Sequence, residues 1–289
     1  MTTAPPPASS PRPSPSPSAT TRGRPVDAPG LAELGADLLH TSRARRAVTL
    51  SRPFAAVACF AAAAWAGWWW AAPLLVFAAF VAVVTATHDV VHGSLGLSRR
   101  ASHWALFALG LVLLESGHAY RASHTRHHRL FPHPDDPEGH PADLTFLQAV
   151  CHGPVFLPRL WWWAFRRADD AGERGRLLAE AAAPFAALAA GVALWPRVPG
   201  VLVYTAMVIV GSWVYPLLTV HLPHHGYGDS PLNQTRTLRG RLVPALFLEL
   251  TYHLEHHLYP QVPSHHLPEL ARRLDGYLRS HGVRPVRVV

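Results

Sequence analysis

Four short stretches gather histidines at helical spacing. "HDVVH" sets His88 and His92 four residues apart, "HTRHH" holds His124, His127 and His128, "HLPHH" holds His221, His224 and His225, and "HLEHH" holds His253, His256 and His257. Residues three and four apart share one face of a helix, and packing alone would fill that face with leucine or alanine. Neutral imidazole is a ligand for zinc, copper, iron or nickel. A structural zinc takes about four protein ligands and a catalytic one about three plus water. The stretches hold eleven histidines, more than one ion uses, and therefore point to two metal ions.

Other residues nearby are candidates for supporting roles. Asp89 follows His88 and could orient a ligand imidazole from outside; a helix-end carboxylate with no such task fits equally. His118 and Glu115 in "ESGHAY" could stand behind the ligands or face the substrate. The turn-rich "HPDDPEGHPAD", with His133, Asp135, Asp136 and His140, reads as a loop packed over the site. His40, His103, His152 and His281 read as interfacial groups, and His265 and His266, after Pro263, as surface groups.

The elements that position these residues are set by an apolar chain. Of 289 residues, 49% are hydrophobic and 15% charged, and the apolar ones are bunched. Pro53 to Val91 is almost free of charge, and Leu177 to Val220 carries only Glu180 and Arg197. Each run exceeds the roughly 20 residues of one membrane-spanning helix. Spans are expected at 53–72, 74–91, 177–195 and 201–220, paired by tight turns at "GWWWAAP" and "WPRVPG". Trp68, Trp69 and Trp70 suit a headgroup-level aromatic belt. The segment 104–115 is too short to span and reads as interfacial or re-entrant.

Arginine gives the orientation. The expected outer turns carry Arg197 alone, whereas Arg43, Arg45, Arg46 and Arg52 precede the first span and ten more arginines lie between the two pairs. Both termini are therefore expected in the cytoplasm, and with them every histidine cluster. The fold class is thus an all-α integral membrane protein of four transmembrane helices in two hairpins, with a cytoplasmic helical cap carrying the histidines. Its place is the cell membrane, with the active site on the cytoplasmic side.

Residues 1–30 are rich in Pro, Ser and Ala and read as a disordered arm. Residues 31–52, with Leu31, Leu34, Leu38 and Leu39 followed by arginines, read as an amphipathic helix on the membrane surface, with a plain soluble helix as the alternative. The catalytic domain is expected over 53–289. The net charge of +8 comes wholly from arginine and is assigned to the membrane, with no nucleic-acid partner. Cys59 and Cys151 are too few for a disulfide framework.

The boxes at 88–92, 124–128 and 253–257 resemble those of the membrane fatty acid desaturase superfamily, which includes acyl desaturases and the carotenoid ketolases and hydroxylases. The resemblance covers about residues 53–270. It implies two non-haem irons held by His88, His92, His124, His127, His128, His253, His256 and His257, with O2 as co-substrate. A further ligand after the last span is expected at His225, four residues beyond His221 where relatives have asparagine. The carotenoid branch's "LPH" would select His224 instead. The resemblance also implies a separate electron donor, ferredoxin or cytochrome b5-like, because the chain has no flavin or haem motif.

The expected reaction is O2-dependent attack on an unactivated C–H bond of a long lipid chain. "YPQVPSHHLPEL" is similar to acyl desaturases, and "HDVVHGSL", "DDPE" and "HLPHH" are similar to the carotenoid enzymes. Fatty-acyl desaturation is the first reading and carotenoid ketolation or hydroxylation the alternative. A membrane zinc hydrolase would want glutamate in HExxH, which no box supplies, and a metal transport site would lie near the bilayer midplane.

Overall fold

A computed structural model describes residues 24–289; most of the expected N-terminal arm, residues 1–23, lies outside them. Helices dominate. In chain order they are α1 (Leu31–Leu34), α2 (Arg43–Trp65), α3 (Ala72–Val91), α4 (Arg99–Leu113), α5 (Gly117–Leu130), α6 (Phe146–Cys151) and α7 (Gly153–Arg166). Next come α8 (Ala171–Leu194), α9 (Pro199–Gly211), α10 (Leu222–His224), α11 (Leu242–Leu246), α12 (His253–Leu258) and α13 (Leu267–Ser280). Two residues of β1 (Leu238–Arg239) pair in parallel with β2 (Val286–Arg287).

Among the described residues, four helical segments are long and apolar enough to cross a membrane: Arg43–Trp65, Trp69–Val91, Ala171–Leu194 and Pro199–His224. The second is the hub. Inside the protein 72% of its apolar window is buried, against 22%, 17% and 28% for the others. A helix apolar all round and covered by neighbours is core; one apolar all round and left uncovered faces lipid. α2 packs on α3 and α8 on α9. Trp65, Trp68, Trp70 and Trp195 stand exposed at the turns, where amphipathic rings favour the headgroup level.

Boundaries differ from expectation for local reasons. α2 starts ten residues before the apolar run because the Ser42 side chain caps it, accepting from Arg45 N. It stops at Trp65, ahead of Gly67, whose φ is +75°. The segment read as interfacial or re-entrant belongs to α4, capped by Ser98 and buried through Leu106, Leu109 and Leu113. α4 and the start of α5 meet at two glycines. A Cβ at Gly117 would collide with the Leu106 carbonyl, and one at Gly110 would stand 2.5 Å from the Glu115 carbonyl.

Residues 31–52 do not form one surface helix. α1 and a 3-10 turn at Ala36–Leu39 come first, and α2 begins separately at Arg43. Leu34 and Leu38 are buried against Leu267, Leu270 and Leu274 of α13, so the leucines cover the protein's own C-terminal helix. Residues 24–30, counted within the expected arm, also pack here: Tyr259 donates to the Pro29 carbonyl at 2.7 Å. Arg273 then fastens the strap from α13, donating to the Asp37 carboxylate at 2.7 and 2.8 Å.

Candidate metal centre

The histidines arrive on four separate elements. His88 ends α3 and His92 caps it; α5 carries His124, His127 and His128; α10 carries His224; α12 carries His253, His256 and His257. One nitrogen from each of His88, His92, His124, His128 and His256 lies within 4.8 Å of the others. A second group within the same limit is His127, His224 and His257. His253 joins it, with Nε2 3.0 Å from His224 Nε2 and 3.1 Å from His257 Nε2. Six of these nine rings are buried and His92, His128 and His253 are partly so.

The contacts inside each group are those of a metal's donor set. His88 Nε2 is 2.8 Å from His256 Nε2, which is 2.9 Å from His128 Nε2, itself 3.2 Å from His124 Nε2. A ring nitrogen either donates one proton or offers one lone pair. His256 Nε2 therefore cannot satisfy both neighbours well, while His92 Nε2 is buried with no partner at all. Metal–imidazole bonds of about 2.0–2.1 Å set the nitrogens of adjacent ligands roughly 3 Å apart. The donor sets fit two metal ions, five nitrogens around one and four around the other.

Three outer nitrogens are held as ligand histidines need. His127 Nδ1 is 2.6 Å from Asp136 Oδ2, His124 Nδ1 is 3.1 Å from Glu138 Oε2, and His224 Nδ1 is 3.0 Å from the Gln234 carbonyl. Ser123 steadies Glu138, donating to Oε1 at 2.6 Å. The 133–143 loop does cover the site, through Asp136 and Glu138. Glu138 and Gln234 were not singled out in the sequence; the glutamate's position ten residues after "HTRHH" is the one signal it offered.

Electrostatics keep most rings neutral. Burial first, and then the neighbouring imidazoles, hold His92, His124, His128, His256 and His257 well below the ordinary histidine value. His253 is lowered in the same way. His127 differs: burial opposes its charge, but the Asp136 and Glu138 carboxylates outweigh it and raise the value. Burial pushes Glu138 up to about 7. Neutral rings leave lone pairs free for a metal.

Several candidates lie elsewhere. His224, not His225, enters the centre. His221 and His225 stack on each other and bond outward, Nδ1 to the Pro141 and Ala142 carbonyls at 3.0 and 2.8 Å, fastening the covering loop. Asp89 does not orient His88, whose Nδ1 is 3.8 Å away. Its carboxylate instead accepts from Ser264 N and Oγ at 3.0 and 2.8 Å, tying the chain after α12 to the end of α3. His118 points away, with Nδ1 2.6 Å from Glu180 Oε1 and Nε2 3.0 Å from His103 Nδ1. Glu115 sits beside that network, its carboxyl pushed up to about 8 by burial. Glu255, inside the third box, is turned to Arg239 at 2.7 Å.

An apolar cavity of about 220 Å³ has His88, His124 and His253 among its lining residues. Phe80, Val84, Leu218, Leu222, Phe247 and Leu250 are among its walls. The centre thus borders a mainly apolar slot. Residues 63–287 match the family model described as fatty acid desaturase. No curated protein matches the chain.

Proposed function

The chain belongs to the membrane fatty acid desaturase superfamily, and we propose that it is an O2-dependent, non-haem di-iron oxidoreductase that desaturates a fatty-acyl chain. The observation that carries this is the pair of imidazole groups bordering an apolar cavity, which His88, His124 and His253 line. His88, His92, His124, His128 and His256 would hold one iron, and His127, His224, His253 and His257 the other. When bound, the irons supply oxygen activation strong enough to take hydrogen from an unactivated C–H bond.

The protein's own part is positioning and exclusion of water. Asp136 and Glu138 fix the ring planes of His127 and His124. Phe80, Val84 and Leu218 hold an extended chain against the histidines and keep the slot dry. Glu255 is unavailable as a hydrolytic base, since Arg239 engages it. Electrons come from a separate ferredoxin or cytochrome b5-like protein.

Two hairpins, with residues 53–289 as the catalytic domain and the histidine end in the cytoplasm, complete the reading. It is supported by the arginines at that end: Thr41 donates to the Ser94 carbonyl at 3.2 Å, so the chain entering α2 through Arg43, Arg45 and Arg46 lies beside His92. Arginine beside a span marks the cytoplasmic side.

One observation favours a second reading, oxygenation of a carotenoid. His224 belongs to the "LPH" that is similar to carotenoid ketolases, and it is His224 that joins the centre. Expression in a host making both carotenoids and ordinary lipids separates the two. A new double bond among fatty-acid methyl esters is the expected result; an oxygenated ionone ring with unchanged fatty acids would replace the first reading by the second.

A further inference from the structure

Two cavities share one side chain. Arg236 lines the apolar cavity that His88, His124 and His253 also line, and it lines a second cleft of about 450 Å³ with Asn233, Thr237, His281 and Arg284. Its backbone is pinned between Pro223 and Leu254, by bonds of 3.0 and 3.2 Å. Its guanidinium lies 5.0 Å over the Tyr227 ring and donates once, from Nη2 to the His225 carbonyl at 3.3 Å.

The side chain is held but not neutralised. Arg236 Nε is buried with no partner, and among the described residues no carboxylate pairs with it. Arg239, three residues on, shows the contrast, gripping both Glu255 and Asp275. Thr237, only 3% exposed, lines the same cleft and its Oγ1 is also buried without a partner. Arg284 stands exposed at the rim. Buried donors left unmade are costly, and the cost is recovered when a ligand brings acceptors. A guanidinium and a hydroxyl lining one cleft suit phosphate or carboxylate oxygens.

We infer that the substrate carries an anionic head group, a phosphate or carboxylate, which Arg236 and Thr237 hold in this cleft while its hydrocarbon tail lies in the apolar cavity below the histidines. This rests on reading the site as one that oxidises a long lipid chain. Arg236 then sets the reacting carbon by its distance from the head group. A carotenoid hydrocarbon, neutral at both ends, would leave both donors unmatched.

Native mass spectrometry of the full chain in an uncharged maltoside detergent tests this, with hexadecyl phosphate, palmitate, hexadecanol and inorganic phosphate as probes. At least one of the two acidic lipids should bind about tenfold tighter than hexadecanol, the worth of one charge-assisted hydrogen bond. Inorganic phosphate alone should bind weakly. Arg236→Gln should erase the preference of the acidic lipids over hexadecanol. Thr237→Val, a milder change, should reduce it.

Equal binding of hexadecanol and both acidic lipids would overturn the inference. So would a preference untouched by both variants, or inorganic phosphate binding as tightly as hexadecyl phosphate. Iron measured on the same samples separates the two claims. Iron without head-group preference defeats this inference alone; preference without iron defeats the di-iron reading alone.

Discussion

An imidazole binds a metal through one nitrogen, and what the other nitrogen touches decides how firmly it is aimed. His127, His124 and His224 are aimed by Asp136, Glu138 and the Gln234 carbonyl, whereas the outer nitrogens of His88 and His256 have no partner. Asp136→Asn and Glu138→Gln should therefore weaken metal binding by about 10- to 100-fold, as read by metal titration of the purified protein. Asp89→Asn should leave metal affinity unchanged. It should instead lower stability by about 1–3 kcal/mol through the bonds lost to Ser264, measured by thermal unfolding. The neighbouring pair His224 and His225 gives a sharper contrast: His224→Ala should lose metal, and His225→Ala should keep it. The eight ligands implied by the resemblance all converge, and the ninth ring is His224. The sequence offered His224 only as the alternative to His225, because Leu217–His221 forms a wide π turn, and an extra residue in a helix rotates the side chains beyond it by about 100°.

Helices deliver these side chains, and their crossings set the precision. Gly117 opens α5 against α4 with no room for a Cβ. Gly117→Ala should destabilise by about 1–3 kcal/mol and loosen the second box, measured as a lower unfolding temperature together with weaker metal retention. Below the third box, Arg239 joins β1 to Glu255 of α12 and Asp275 of α13. Arg239→Ala strands the fully buried Glu255 carboxylate, and should cost about 3–5 kcal/mol by denaturant unfolding. Hydropathy located all four spans because each is a continuous apolar run. It misplaced their ends, since a serine cap, a positive-φ glycine or a polar first turn leaves no mark on an average. The Leu31–Leu39 strap was legible as amphipathic but not as to its partner. Leucines spaced for a membrane surface look the same as leucines spaced for α13.

At the scale of the whole molecule, three spans face outward and α3 runs through the middle to present His88 and His92. Everything that converges there comes from sequence positions up to 169 residues apart, as His88 and His257 illustrate. Local pattern cannot report which face of α5 meets which face of α12. It could report that two histidine stretches fall at the ends of spans and the other two in segments expected on the same side, and that was enough to bring them together. Metal binding links these distant pieces, so chelation should lower the unfolding temperature and expose the 133–143 loop to protease. The most direct measurement is anaerobic elemental analysis of the purified full-length protein, beside His127→Ala and His256→Ala. About two irons per chain should be found, with each variant losing metal. A single equivalent of zinc, or iron unaffected by either substitution, would contradict a histidine-held di-iron centre.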